Sequence, residues 1–464
     1  MGGDGPARQG AGRRLEQQRR LSGRALPRHG LRRYAAAPEE ERMDRIKRRD
    51  CLLAAGSVAL PALARADIAA MQRLLDGRVK EEGVALAAGR VDGRRVELAH
   101  AAGRGPRVGA DSVFELGSLT KTFTALLLAD AVVRSELRLD DAIEEALPDG
   151  LRLRDSQGRP LRWLDLATHR SGLPRLLSNL APARPADPYA DYDDAALLAF
   201  LKGWQPNVPR DSRFEYSNLG FGLLGHALAL RQRTDYASLL TARALEPLGL
   251  LGKVGLGLPG LLQGHDAAGT AVPAWHFQSA TAGAGALHGT TRGLTRYAMA
   301  ALGLFEHPLK AAFALCLQRR AEGAAPINPI GLAWMLAPLN GRTLFTHDGG
   351  TGGFRGSLWL DPTRGRASIV LANAALEVND LALHLLDDSV PLPDRSTTRQ
   401  AGITLPAEQL KPLAGAYALN PQFKLSVRAD GQRLFAQATG QGEFELFAKA
   451  ARRFFAKVTP LEIE

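Results

Sequence analysis

Ser118 and Lys121 stand three residues apart in FELGSLTK, Phe114 to Lys121. In a helix that spacing puts both side chains on one face. A serine beside a lysine can be a nucleophile beside its base. Ser-x-x-Lys alone means little, because about one match occurs by chance in a chain this long. The context adds weight. Lysine is favoured in the last turn of a helix, where the macrodipole welcomes it, not in the first. The apolar run that follows, TFTALLLADAVV, implies burial. A buried lysine loses its proton more easily and can serve as a base. Ser118 would then sit at a helix N-terminus, where free N–H groups and the dipole favour a developing oxyanion.

Two further stretches carry residue types that fit such a site. FEYSNLGF holds Tyr216-Ser217-Asn218, the one Tyr-x-Asn among seven tyrosines. A tyrosine near a lysine can keep its phenol partly ionised and act as base and then acid. LFTHDGGTGGFRGSLWL holds His347, Asp348, Gly349 and Gly350 ahead of a hairpin. Glycines at a strand edge let a substrate backbone approach closely.

The elements that must position these residues are legible in outline. Val84 to Arg104 reads as a hairpin turning at Asp92-Gly93. Phe354 to Asn373 reads as a second hairpin around Pro-Thr-Arg-Gly. Between them DDAALLAFLKGW and LGFGLLGHALALRQR have helical apolar spacing. Strands near both ends with helices between imply one sheet closed by distant segments, with a helical lobe inserted. From Leu410 the runs AGAYAL, FKLSVRADGQRLFAQATG and FELFAKAARRFFAKV read as strands of a small antiparallel domain.

The formal charge of the 464-residue chain is +11, but residues 1–66 hold 15 Lys/Arg against 7 Asp/Glu. The rest carries only +3, and no basic stripe interleaved with aromatics is present, which argues against nucleic acid as a partner. Residues 1–42 lack packing material and read as a disordered or mis-annotated extension. Residues 43–66, MDRIKRRDCLLAAGSVALPALARA, have the layout of a signal peptide with a twin-arginine-like pair at Arg48-Arg49. Its apolar stretch is too short for a stable membrane span. The expected location is therefore periplasmic or secreted. The expected division of the chain is a hydrolase domain over 67–390, a linker over 391–409 and a β domain over 410–464. Beyond the signal only Cys316 remains, so no internal disulfide and no thiolate zinc site can form.

Ser118-Leu119-Thr120-Lys121, Tyr216-Ser217-Asn218 and His347-Asp348-Gly349 occur in that order, 98 and 131 residues apart. Together with LATHRSGLP, Leu166 to Pro174, they resemble the penicillin-recognising serine hydrolases, specifically the class C β-lactamase family, over about 68 to 390. The C-terminal part resembles the small β-barrel appendage of some members. The resemblance implies an α+β or α/β fold of the β-lactamase/transpeptidase type. Such a fold has a mixed antiparallel sheet flanked by helices and an all-helical lobe, here with a small all-β C-terminal domain. It implies a Ser118 acyl-enzyme, with Lys121 and Tyr216 sharing the proton work. It implies Ser118 and Gly350 N–H groups as the oxyanion hole, and Asn218, His347, Gly349 and Gly350 in substrate binding. It implies a small-molecule substrate and neither metal nor cofactor.

One residue departs from the strong β-lactamases, which usually carry lysine at the place of His347. Lys253-Val254-Gly255 also fits Lys-x-Gly, but it lies only 37 residues beyond Tyr216 with no hairpin after it, and is set aside. Histidine in this place is shared with esterases and D-amino-acid and cell-wall peptidases of the family. The substrate is therefore open between β-lactams or D-alanyl peptides and small acyl esters, with a penicillin-binding protein that does not turn over as a third reading. A histidine with its ordinary pKa of about 6.5 would charge as pH falls towards 6 and then anchor a substrate carboxylate.

Overall fold

The computed structural model describes residues 67–464, apart from 80–81, 106, 149, 267–268, 324–328, 394–402, 421–422, 439–442, 457–461 and 464. The expectations for residues 1–42 and 43–66 lie outside the described residues.

Six strands form the main sheet: β1 (Ala85–Asp92), β2 (Arg95–Ala102), β3 (Met335–Leu339), β4 (Arg342–Gly350), β5 (Arg355–Asp361) and β6 (Arg366–Ala372). Their order is β2-β1-β6-β5-β4-β3, with every pair antiparallel. Both hairpins form as expected, with Asp92 opposite Arg95 and Asp361 opposite Arg366. The sheet closes when β1 pairs with β6, Leu86 against Ala372.

Each central strand is buried on both faces. On β6, Ala367, Ile369 and Leu371 face one core, and Val370 and Ala372 face the other. The second core is filled by Met71 and Leu75 of helix α1 (67–78) and by Leu381 and Leu385 of a late helix (Asn379–Leu386).

The first core continues into the helical lobe. Helix α2 (Thr120–Val133) is its axis, with twelve of fourteen residues buried. A helix apolar all round belongs at the centre of a lobe rather than on its surface. Around it stand α3 (Asp194–Gly203), α4 (Asn218–Arg231), α5 (Ser279–Gly285) and α6 (Thr291–Ala301). Helices α4 and α5 touch backbone to backbone: a Cβ on Gly283 would sit 2.7 Å from the Phe221 carbonyl oxygen. That closeness carries the Ala284 carbonyl to the site.

A small three-stranded sheet was not legible in the sequence. It joins Phe114–Glu115, Leu287–Gly289 and Val254–Leu256, and so places the Lys253-Val254-Gly255 stretch at its far strand. Runs of two or three residues leave no alternation to read.

The C-terminal residues build a second six-stranded antiparallel sheet, a meander of β7 (Gly415–Asn420), β8 (Phe423–Asp430), β9 (Arg433–Ala438), β10 (Glu443–Ala450), β11 (Arg453–Ala456) and β12 (Glu462–Ile463). The run that reads as one strand, FELFAKAARRFFAKV, is two, turning at Ala451-Arg452. Leu405 and Leu410 pack with Leu425, Leu434 and Leu446 of this sheet.

Candidate active site

Ser118 lies in a 3-10 turn, Gly117–Leu119, that runs straight into α2. Gly117 has φ +49°, and a Cβ there would meet the Gly350 nitrogen at 2.7 Å. A Cβ on Gly349 would lie 2.0 Å from the Leu116 carbonyl oxygen. The end of β4 therefore rests directly on the main chain of the serine turn. Only glycine permits that contact. Glu115 ties the same two segments together: its buried carboxylate accepts from the Thr351 hydroxyl and, at 2.7 Å, from the Trp275 N–H.

Lys121 is fully buried, and its Nζ lies 2.9 Å from Ser118 Oγ, 2.9 Å from Asn218 Oδ1 and 2.7 Å from the Ala284 carbonyl oxygen. Asn218 Oδ1 and the Ala284 carbonyl are pure acceptors. They take the two protons of a neutral amine and leave its lone pair for the Ser118 hydroxyl. Burial first, and the charge of Arg175 second, hold the Lys121 pKa well below its ordinary value.

Ser217 sets the position of the second motif. It is the N-cap of α4, with its hydroxyl accepting from the Gly220 N–H at 2.8 Å. Tyr216 thus stands just outside the helix and Asn218 is its first residue. The loop over 169–175 holds this junction. The Ser217 N–H donates to His169 Nδ1 at 3.0 Å, the Ser217 hydroxyl to the Pro174 carbonyl at 2.7 Å and the Asn218 N–H to the Arg175 carbonyl at 3.1 Å. The His169 ring stacks on Tyr216 with centroids 4.3 Å apart.

Tyr216 presents its ring face to Lys121 Nζ at 5.0 Å. The nearby Ser118 side chain pulls its pKa down, yet burial outweighs that effect and raises it. A partly ionised phenol was the expectation. Desolvation keeps it protonated instead, as a proton donor.

His347 departs from expectation in the same way. It is 3% exposed, and burial together with the Lys121 charge lowers its pKa to about 3. It therefore stays neutral at pH 6. Its Nδ1–H donates to the Asp348 carbonyl at 2.7 Å, so Nε2 carries a lone pair, buried and without a partner among the described residues.

The structure thus brings Ser118, Lys121, Tyr216 and Asn218 into direct contact, with Gly349 and Gly350 against the serine turn. The His347 ring lies 6.3 Å from that of Tyr216. Sequence reasoning missed Tyr189, whose hydroxyl accepts from Asn218 Nδ2 at 3.1 Å and whose ring packs against Trp275 and Phe277. It also missed His169 and Arg175 as individual residues, although both lie in or beside LATHRSGLP, the stretch singled out for its resemblance.

Residues 71–388, more than half of the chain, match the family model "Beta-lactamase". A beta-lactamase from Psychrobacter immobilis is 28% identical over 243 residues, 51% of this chain and 57% of that protein. The D-alanyl-D-alanine-carboxypeptidase/endopeptidase AmpH of Escherichia coli K12 is 31% identical over 148 residues, 32% of this chain and 38% of that protein. The matched part thus spans less than two thirds of these relatives. A class C beta lactamase from Rhodobacter sphaeroides superimposes with a TM-score of 0.55 at 24% identity, covering 67% of this chain and 93% of the other, so the fold is shared. Among the described residues no helix is long and apolar enough to cross a membrane. By the match over 71–388, the chain belongs to the beta-lactamase family.

Proposed function

We propose that this protein is a serine hydrolase that opens an amide, a β-lactam or a D-alanyl peptide, through an acyl-enzyme on Ser118. The observation that carries the reading is the buried Lys121, whose Nζ has acceptors for two protons and the Ser118 hydroxyl 2.9 Å away. Neutral Lys121 takes the Ser118 proton as Oγ attacks the carbonyl carbon. The N–H groups of Ser118 and Gly350 receive the oxyanion. Tyr216, held protonated, gives its proton to the leaving nitrogen. Water then attacks the acyl-enzyme and passes a proton back through the same groups. Asn218 positions Lys121 and offers an amide N–H to the substrate, and Gly349 lets the strand edge approach it. The fit to a small-molecule substrate rests on this geometry and on the relatives' printed activities.

A neutral His347 favours a second reading, an esterase on small acyl esters, because a neutral ester needs no charged anchor. Turnover of a chromogenic cephalosporin against p-nitrophenyl butyrate separates the two. The nucleophile is tested by a fluorophosphonate probe, which is expected to label the Ser118 peptide and to lose all labelling in Ser118→Ala. A labelled Ser118→Ala protein would overturn the assignment.

The same reading includes export to the periplasm or medium by a signal over 43–66, and a hydrolase domain (67–390) joined by a linker (391–409) to a β domain (410–464). Intact-mass analysis of exported protein is expected to give a chain starting near Asp67.

A further inference from the structure

Several partly buried arginines in the body of this protein are held by carboxylates, Arg78 by Asp380, Arg162 by Asp165, Arg243 by Asp130 and Arg342 by Asp361, and Arg296 and Arg355 donate to backbone carbonyls. Arg175 is half-buried as well, but among the described residues its guanidinium has no carboxylate or hydrogen-bond acceptor. Its recorded contact is the face of the Tyr216 ring, with Cζ 5.3 Å from the centroid. A cation against an aromatic face is attracted but keeps all of its donors free.

Arg175 belongs to the wall of the site. Its carbonyl accepts from the Asn218 N–H, and its ring partner is the tyrosine whose face also meets Lys121 Nζ. Its charge is felt at Lys121, His169, Tyr216 and Tyr189. The sheet wall has a cation too, Arg355 against Gly350, but its guanidinium is largely buried and donates to the Thr351 and Phe354 carbonyls at 2.7 and 2.8 Å. His347 spends its one N–H on the Asp348 carbonyl, and its buried Nε2 carries only a lone pair, so the ring has no donor left for a carboxylate.

We infer that Arg175, on the helical side of the site, is the anchor for a carboxylate on the substrate, in the place of any charge on His347. A guanidinium meets a carboxylate with two parallel N–H bonds, and half-burial strengthens the pair relative to open water. The substrate class is then an acyl compound bearing a carboxylate near the scissile bond. This rests on Ser118 being the nucleophile.

The test compares two probes that both react at Ser118: a fluorescent penicillin, which carries a carboxylate, and a neutral fluorophosphonate. Second-order labelling rates are measured for the full-length wild type, Arg175→Gln and Arg175→Lys, with thermal melting reporting that each variant is folded and the fluorophosphonate rate absorbing any change at Lys121. The ratio of penicillin to fluorophosphonate rates is expected to fall about tenfold or more in Arg175→Gln and to recover in large part in Arg175→Lys. Raising the salt concentration is expected to lower the ratio for the wild type and to leave it flat for Arg175→Gln. An unchanged ratio in Arg175→Gln overturns the inference. So does a wild type that takes the fluorophosphonate at Ser118 but not the penicillin, in which case the nucleophile assignment stands alone. If neither probe depends on Ser118, the nucleophile assignment itself fails and this inference falls with it.

Discussion

The two walls that meet at Ser118 are built from different materials. The helical wall supplies side chains that carry protons and charge: Lys121, Tyr216, Asn218 and Arg175. The sheet wall supplies mostly main chain, with Gly349 and Gly350 laid on the serine turn, the Arg355 guanidinium tied to backbone carbonyls behind Gly350 and a histidine held neutral by burial. Every polar position of Lys121 is occupied, whereas His347 Nε2 has no partner among the described residues. In the proposed mechanism the contrast gives proton transfer to one wall and geometry to the other. Substitutions on the helical wall should therefore remove chemistry and spare the fold, and substitutions on the sheet wall should damage both.

Lys121→Met is expected to give the largest loss. Labelling of Ser118 should fall by about a thousandfold or more, because base and nucleophile act as one unit. The melting temperature should move by only about a few degrees. A buried lysine destabilises the fold at neutral pH: its folded pKa is depressed, so the unfolded chain binds the extra proton, and stability rises with pH from that lowered value up to about 10.5. Removing the amine removes this cost and offsets the two acceptors left unpaired. In the wild type, labelling should rise with pH as Lys121 loses its proton. A large drop in melting temperature for Lys121→Met would erase the proposed division between the walls.

Gly349→Ala tests the other side. The added Cβ would fall 2.0 Å from a backbone oxygen, which no rotamer can relieve. A loss of about 3 kcal/mol or more in stability is expected, with activity falling in parallel. A stable but inactive Gly349→Ala protein would show that the strand can shift without unfolding, and that the main-chain contact is softer than its geometry implies.

These predictions use parts of the molecule that the sequence reveals unevenly. The hairpins were legible because Asp-Gly and Pro-Thr-Arg-Gly punctuate strongly alternating or apolar runs. Ser118, Lys121, Tyr216 and Asn218 were legible because each motif lies at the start of a long apolar helix. Tyr189, Trp275 and Phe277 were not, because they reach the site from irregular segments, where no period marks the inward face. The protonation states of Tyr216 and His347 were misjudged for one shared reason. Burial outweighs the neighbouring groups, and burial of a single side chain cannot be read from its position in a motif.

A third expected effect is in acid. His347, with its pKa lowered to about 3, and His169, also lowered by burial, stay neutral in the fold while the unfolded chain protonates them below about 6.5. Stability is thus unaffected by them above that pH and falls as pH drops from about 6.5 towards 3, by at most about 1.4 kcal/mol per pH unit for each group. Denaturant melts at pH 7, 5.5 and 4.5 should show the decline, and His347→Gln should make it shallower. An identical slope in His347→Gln would mean that His347 is solvated and titrates normally, and would put charge back on the sheet wall.

The pairing of β1 with β6 has a consequence for biosynthesis. Leu86 and Ala372 are neighbours in the finished sheet, yet 285 residues are translated between them. The central strand of the body waits for its partner until nearly the whole of residues 71–388 has left the ribosome, and closing so long a loop is slow. Through that interval the nascent chain exposes a two-faced apolar strand with an open edge, a surface that holdase chaperones recognise.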